Sequence, residues 1–211
     1  MITEITLENF KGYRERTSIP IAPITLFYGP NSAGKSSIFQ ALMYLYEIIQ
    51  NDWCDVDLCS LAPIDLGGFC NLVNRDSEDK YIRLGVRFNI SELSLIGSFE
   101  SWDDPEEVEE LSQKYSVGCI SPDAECGAES THLEFEIRWS HVLQKPYVAS
   151  LSIELDDDPI LRVKSSDDLE ELAIDKINFS HRLFNGYIDK DSKIAGIQNI
   201  LHSYFCLGEN F

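Results

Sequence analysis

Residues 29–36 have the types and the spacing that bind the phosphates of a nucleotide. They fit the pattern G-x-x-x-x-G-K-[ST] and read Gly29, Pro30, Asn31, Ser32, Ala33, Gly34, Lys35, Ser36. Glycines let such a loop curl until backbone N–H groups point at phosphate oxygens. The pattern therefore predicts a nucleoside triphosphate site in which Lys35 reaches the β- and γ-phosphates and Ser36 holds Mg²⁺.

The segments on both sides of this loop have the patterns that a phosphate-binding loop requires. An apolar run at 24–28 predicts a buried strand, and residues 37–49 predict a helix. The predicted apolar stripe of that helix comprises Ile38, Leu42, Leu45 and Ile49. Strand, loop and helix in this order favour a nucleotide site over an ordinary glycine-rich turn. The ligands predicted in this loop are Asn31, Ser32, Ala33, Gly34, Lys35, Ser36 and Ser37.

Several other segments of the chain alternate apolar and polar residues, as half-exposed strands do. Strands are predicted at 2–10, 14–19, 81–90, 131–139, 147–155 and 160–164. Helices are predicted near 105–115, 167–174 and 191–204. The combination favours an α/β fold.

The first 45 residues resemble the N-terminal lobe of an ABC-type ATPase head, in the RecF/SMC-like and OLD-like class of prokaryotic AAA-family ATPases. The opening strand is followed by Asn9-Phe10-Lys11-Gly12-Tyr13, which resembles the Asn-Phe-basic turn of that class. The loop has Asn in its third place and a second Ser after Ser36, and the interval between the two features is short. Residues 65–73 are also similar to a segment of OLD-like ATPases.

The resemblance implies a P-loop NTPase lobe of the ABC type with an antiparallel β-rich subdomain, and an incomplete one. It divides the chain into an N-terminal lobe at 1–95, an acidic insertion or linker at 96–130 and a β-rich continuation at 131–211. It implies ATP and Mg²⁺ as cofactors. It also implies that Tyr13 covers the adenine and that Lys11 or Arg14 touches the ribose or α-phosphate, unless the turn is an ordinary hairpin with solvated basic residues.

Hydrolysis in this class needs an apolar strand that ends in Asp-Glu, and the chain has no convincing one. Residues 150–159 end in carboxylates, but they alternate as an antiparallel strand does. Leu66-Gly67-Gly68-Phe69 is a weak match to a signature loop because it has no serine. We therefore expect a second lobe to supply the carboxylates, and expect this chain alone to hydrolyse ATP slowly or not at all.

Composition limits the partners. The formal net charge of −19 does not support a nucleic acid partner, although a local basic groove stays open. No apolar run approaches the roughly 18 residues that span a membrane. Six cysteines without a C-x-x-C pair, and no evident secretion signal, predict reduced thiols in the cytoplasm.

Three functions remain open at this point. The first is the ATP-binding part of an ATPase that forms a homodimer or larger assembly with nucleotide and regulates an effector, in phage defence or DNA processing. The second is a non-catalytic nucleotide-binding interaction subunit. The third is a P-loop small-molecule kinase, which is disfavoured because the arginines fit no lid pattern.

Overall fold

The computed structural model describes residues 1–51, 66–89, 128–169, 171–178 and 180–181. Within these ranges the strands are β1 (Ile2–Glu8), β2 (Thr17–Pro20), β3 (Tyr81–Asn89), β4 (Ser130–Ser140), β5 (Lys145–Leu155), β6 (Asp158–Ser165) and β7 (Leu172–Ile177). The helices are α1 (Lys35–Asn51) and α2 (Phe69–Leu72). The strands predicted near the start of the chain, at 81–90 and from 131 to 164 are thus confirmed within a few residues.

All seven strands form one antiparallel sheet in the order β2-β1-β3-β4-β5-β6-β7. Period-two alternation gives this sheet one apolar and one polar face. The apolar face includes the fully buried Ile5, Leu84 and Ile137 on β1, β3 and β4. Charged side chains such as Arg83 and Glu136 lie on the other face, where they pair across strands.

Helix α1 contributes to the hydrophobic core with the apolar residues of the sheet. Its buried apolar positions are Ile38, Ala41, Tyr44, Leu45 and Ile48. Two residues of the predicted stripe, Leu42 and Ile49, are only partly buried. The buried side of the helix is therefore rotated slightly from the predicted stripe, because it includes Tyr44 and Ile48, which the prediction left out.

The prediction of a buried strand at 24–28 is wrong for the described structure. No strand is assigned at these positions, although the segment lies directly before the loop. Ile24, Leu26 and Tyr28 are 83%, 82% and 94% exposed. Phe27 instead packs edge-on against Phe39 of α1, with ring centroids 5.7 Å apart. The apolar run lacks a neighbouring strand among the described residues, so three of its five side chains are exposed.

The helix predicted near 167–174 is also wrong. A turn is closed there by the N–H of Ser166, which donates to the carbonyl of Glu171 at 3.0 Å. Strand β7 then pairs with β6 in antiparallel register. Pairing with an existing sheet edge outweighs local helix propensity here. The helices predicted near 105–115 and 191–204 lie outside the described residues.

Strands from both sides of the predicted insertion belong to the same sheet, since β3 pairs directly with β4. The division at 95 and 130 stays a prediction. In the part of the chain that the structure describes, no helix is long and apolar enough to cross a membrane.

Candidate functional site

The loop before α1 curls through three residues with positive φ. Gly29, Ser32 and Gly34 have φ angles of 148°, 66° and 84°, in the region that L side chains rarely adopt. Helix α1 begins at Lys35, and the N–H of Ser37 donates to the carbonyl of Gly34 at 3.0 Å. The loop therefore ends on the N-terminus of a 17-residue helix, where partial positive charge favours an anion.

Lys35 lies across this loop. Its Nζ donates to the carbonyl oxygens of Gly29 at 2.8 Å and Pro30 at 2.6 Å. The ammonium is therefore held at the loop by two hydrogen bonds. Positive charge at this place, and a first helical turn without a carboxylate, suit a polyphosphate.

The other predicted loop ligands are accessible to a nucleotide. Asn31, Ser32, Ala33 and Ser36 are exposed, and Gly34 and Ser37 are partly buried. The Ser36 hydroxyl is on the first turn of α1, next to Lys35. A hard oxygen ligand in that position suits Mg²⁺, which prefers oxygen and keeps several waters and phosphate oxygens in its shell. The residues present therefore fit ATP with Mg²⁺.

Tyr13 is brought against the loop from a distant part of the sequence. Its phenol oxygen lies 3.5 Å from the carbonyl oxygen of Gly34. A Cβ at Gly34 would lie 3.0 Å from that phenol oxygen and 3.1 Å from the ring. The turn after β1 and the phosphate-binding loop therefore form one contiguous surface, with the tyrosine ring on the loop, and the placement of Tyr13 over the adenine stays a prediction.

The turn at 9–13 is fixed from its other side by residues 72–74. The N–H of Lys11 donates to the carbonyl of Leu72 at 2.6 Å. The N–H of Asn74 donates to the carbonyl of Asn9 at 3.0 Å, and its side-chain amide donates to the carbonyl of Lys11 at 2.6 Å. Phe10 is fully buried between these segments. Sequence reasoning missed the contribution of Asn74, because nothing in its local pattern identifies its distant partners.

Two residues of this turn have unfavourable backbone angles. Asn9 and Lys11 have φ angles of 55° and 50°. Such conformations cost about 1–3 kcal/mol each for residues other than glycine. The cost is smallest for asparagine. Partial burial lowers the pKa of the Lys11 ammonium. The hydrogen bonds given above belong to the Lys11 backbone, so its predicted contact with ribose or α-phosphate stays a prediction.

A group of charged residues, which we call the β1-end cluster, fixes the end of β1 where the turn begins. It comprises Glu8, Tyr81, Arg83, Glu136 and Arg138. Arg83 donates to Glu8 at 3.0 Å and to Glu136 at 2.9 Å, and the Tyr81 hydroxyl donates to Glu8 at 2.9 Å. Burial alone would raise the pKa of Glu136, but hydrogen bonds from Arg138 and Arg83 outweigh it and hold the pKa below normal. The cluster anchors the turn. Sequence reasoning missed this cluster, although opposite charges at alternate positions of β3 and β4 could have indicated it.

The acidic turn after β5 lies at the wrong end of the sheet for catalysis at this loop. Leu155 pairs with Thr131, Thr131 with Phe88, and Phe88 with Ile2 at the start of β1. The turn bearing Tyr13 follows the other end of β1, about 20 Å away for a seven-residue strand. Asp156 instead accepts hydrogen bonds from the N–H groups of Glu129 and Ser130 at 2.9 Å. Residues 150–159 are thus an antiparallel strand and turn, as the sequence predicted.

The weak signature-loop match at 66–69 has a packing role. Gly67 and Gly68 both have φ angles of 80°, and Leu66 and Phe69 are buried in the core. The four-residue helix α2 follows directly and leads into the segment that holds the turn. In the described ranges, no three His, Cys, Asp or Glu side chains converge to hold a metal ion. Cys70 is a free thiol, and the other cysteines lie outside the described residues.

Comparison with known proteins agrees with this geometry. A family model described as "AAA ATPase domain" matches residues 1–202. A 45-residue segment is 47% identical to the DNA replication and repair protein RecF of Chloroflexus aurantiacus. That segment is 21% of this chain and covers only 11% of the RecF protein. The family model spans nearly the whole chain, and its nucleotide-binding character matches the phosphate loop that precedes α1. The chain belongs to the AAA ATPase domain family and is a nucleotide-binding ATPase domain.

Proposed function

We propose that this chain is the ATP-binding lobe of an ABC-type ATPase of the RecF/SMC-like and OLD-like class. The observation that carries the proposal is the position of Lys35, whose ammonium lies on the loop carbonyls of Gly29 and Pro30 at the N-terminus of α1. The lysine and the helix N-terminus together bind the β- and γ-phosphates, and the Ser36 hydroxyl binds Mg²⁺. Bound Mg²⁺ neutralises charge that develops on the transferred phosphoryl group.

The exposed segment before the loop supports completion by a second lobe. Residues 24–28 are not part of the sheet, and they leave Ile24, Leu26 and Tyr28 more than four-fifths exposed. A strand added beside them would cover these apolar side chains and satisfy their backbone groups. The second lobe is also the expected source of the carboxylates for hydrolysis. Leu26→Asp in this chain is expected to abolish its capture by the separately produced second lobe, whereas Val142→Asp, at another exposed apolar site, is not.

Nucleotide-dependent dimerisation and control of an effector extend the proposal. The acidic surface, with a net charge of −19, suits a basic protein partner better than a nucleic acid. Phage defence and DNA processing are the settings that the class implies, and a cytoplasmic location stays a prediction. Sedimentation velocity with and without ATP and Mg²⁺ tests the dimer: a shift from monomer to dimer that requires both supports it, and an unchanged monomer contradicts it.

A non-catalytic nucleotide-binding interaction subunit is the second candidate. The carboxylates of residues 156–158 are far from the loop, which favours this alternative for the chain on its own. The two candidates differ in one result: the ATPase lobe is expected to hydrolyse ATP when the second lobe is added, and the non-catalytic subunit is not.

Equilibrium titration with ATP tests the proposed site. Wild type is expected to bind ATP more tightly with Mg²⁺ than without it. Lys35→Ala is expected to lower the affinity at least a hundredfold, since a charge-assisted contact to the phosphates is lost. Lys145→Ala is the matched control, because this exposed lysine lies at the start of β5. Equal affinity of wild type and Lys35→Ala would show that the loop is not the site.

A further inference from the structure

We infer that Tyr13 is a positioning residue for binding of the polyphosphate. Its ring lies on Gly34, inside the phosphate-binding loop, and keeps that part of the loop in the conformation that binds phosphate. This inference rests on the proposed ATP site. It gives the turn after β1 a role in phosphate binding, whereas the resemblance alone implies a contact with adenine.

Gly34 does not fix its own backbone angle. A glycine populates positive and negative φ about equally readily, and the φ of Gly34 is 84°. A loop that depends on such a residue binds its ligand only in the fraction of molecules in which the angle is right. A contact from outside the loop raises that fraction if it favours the observed angle.

The Tyr13 side chain supplies such a contact. A Cβ built on Gly34 would lie 3.0 Å from the phenol oxygen, and 3.1 Å and 3.2 Å from Cε2 and Cζ of the ring. The ring therefore occupies the space beside the glycine and limits movement of the loop in that direction. Tyr13 is partly buried and packs against the hydrophobic core, so the ring is itself held in place.

The orientation of one peptide unit links this contact to phosphate. The carbonyl oxygen of Gly34 accepts from the N–H of Ser37 at 3.0 Å and lies 3.5 Å from the phenol oxygen of Tyr13. In a planar trans peptide the N–H points opposite to the C=O, so the N–H of Lys35 is directed away from Tyr13. Lys35 is the first residue of α1, and the first N–H groups of a helix bind anions. Tyr13 therefore lies behind the peptide unit that offers a donor to phosphate.

The backbone of Tyr13 is attached to the core through Phe10. The N–H of Tyr13 donates to the carbonyl of Phe10 at 2.8 Å, and the N–H of Phe10 donates to the carbonyl of Tyr13 at 2.9 Å. Phe10 is fully buried. The tyrosine is therefore fixed to the sheet side of the molecule, and it can restrain the loop instead of moving with it.

The experiment compares ATP and inorganic tripolyphosphate, each titrated with Mg²⁺ into the full chain. For Tyr13→Ala we expect the affinities for both ligands to fall about tenfold, and by the same factor within about twofold, because fewer molecules have the competent loop. If Tyr13 instead covered the adenine, the change would weaken ATP binding and leave tripolyphosphate binding unaffected. That result would overturn the inference.

Three further variants keep the test sharp. Tyr13→Phe keeps the ring and should bind both ligands within about threefold of wild type, because the hydroxyl contact of 3.5 Å is longer than an ordinary O–H···O bond. Tyr13→Leu replaces Tyr13→Ala if the latter fails to fold, with the same expected losses, since it keeps an apolar side chain but no ring. Tyr46→Ala is the matched control at an exposed tyrosine further along α1, and should leave both affinities unchanged.

Hydrogen exchange of the ligand-free chain separates positioning from a general loss of stability. In Tyr13→Ala we expect faster exchange at the N–H of Ser37, which donates to the carbonyl of Gly34, and unchanged exchange in β4 at the centre of the sheet. Faster exchange at both places would show that the variant is merely less stable, and would overturn the inference.

The titrations also separate this inference from the proposed function. If wild type binds both ligands and Tyr13→Ala binds them as tightly or more tightly, the inference is overturned and the ATP site stands. A loss in Tyr13→Phe as large as that in Tyr13→Ala would overturn the role of the ring. If wild type binds neither ligand, the proposed function fails as well. An equal loss for both ligands in Tyr13→Ala, with binding retained in Tyr13→Phe, supports both.

Discussion

The phenol oxygen of Tyr13 lies 3.5 Å from the carbonyl oxygen of Gly34, although 21 residues separate them in the chain. The turn after the first strand is therefore packed on the phosphate-binding loop, and each limits the shape of the other. Two observations explain why residue 34 is a glycine: its φ is 84°, and the Tyr13 ring lies next to the place where a Cβ would be.

Gly34→Ala is expected to weaken ATP binding at least tenfold and to lower the free energy of unfolding by about 1–3 kcal/mol, because both the backbone angle and the contact with Tyr13 become unfavourable. ATP titration and urea unfolding measure the two effects. Adding Tyr13→Ala removes the clash but not the backbone strain, so the double variant should recover only part of the lost stability. Wild-type affinity in Gly34→Ala would contradict the loop geometry.

Glu136→Gln tests the β1-end cluster through its pH dependence. Burial raises the pKa of Glu136, but hydrogen bonds from Arg138 and Arg83 lower it further, to below its ordinary value of 4.5. A carboxyl whose pKa is lower in the folded than in the unfolded state stabilises the folded state. That contribution is complete above the pKa of the unfolded state and is lost as the pH falls through the pKa of the folded state. The variant should therefore be about 2 kcal/mol less stable than wild type at neutral pH, and the difference should shrink below about pH 4.5.

Urea unfolding from pH 7 to pH 3 measures this difference. Glu129→Gln is the control, because Glu129 is an exposed carboxylate outside the cluster. It should change stability by less than about 0.5 kcal/mol over the range. A difference between wild type and Glu136→Gln that stays constant with pH would argue against the depressed pKa.

Gly85→Ala tests the packing of the polar face. A Cβ at Gly85 would lie 2.7 Å from Nε2 of His132 and 3.3 Å from Cβ of Thr6, and His132 is only 3% exposed. Overpacking of this kind costs about 1–3 kcal/mol. Gly12→Ala, where no atom lies within 4 Å of the added Cβ, is the matched control for unfolding and should be nearly neutral.

The double variant Gly85→Ala with His132→Ala shows whether the imidazole causes the effect. The two changes should be non-additive, because His132→Ala removes the atom that the new methyl group meets. Strictly additive changes in the free energy of unfolding would show that contact with the imidazole does not cause the loss of stability.

Sequence reasoning identified the loop at 29–36, helix α1 and strands β3 to β6, because a motif or a clear period specifies each of them. It failed at 24–28, where an apolar run predicted burial and the described structure leaves Ile24 and Leu26 exposed. It could not find Asn74, whose partners Asn9 and Lys11 are more than 60 residues away. Local pattern encodes local structure, whereas these features depend on which distant segments meet.

We propose that this chain holds one half of a composite ATPase site. Phosphate release measured at saturating ATP and Mg²⁺, on protein whose bound ATP is quantified in the same sample, tests it most directly. We expect ATP to be bound through Lys35, and phosphate release to be no faster than that of Lys35→Ala until the second lobe is added. Sustained turnover by this chain alone, abolished by Lys35→Ala, would contradict it.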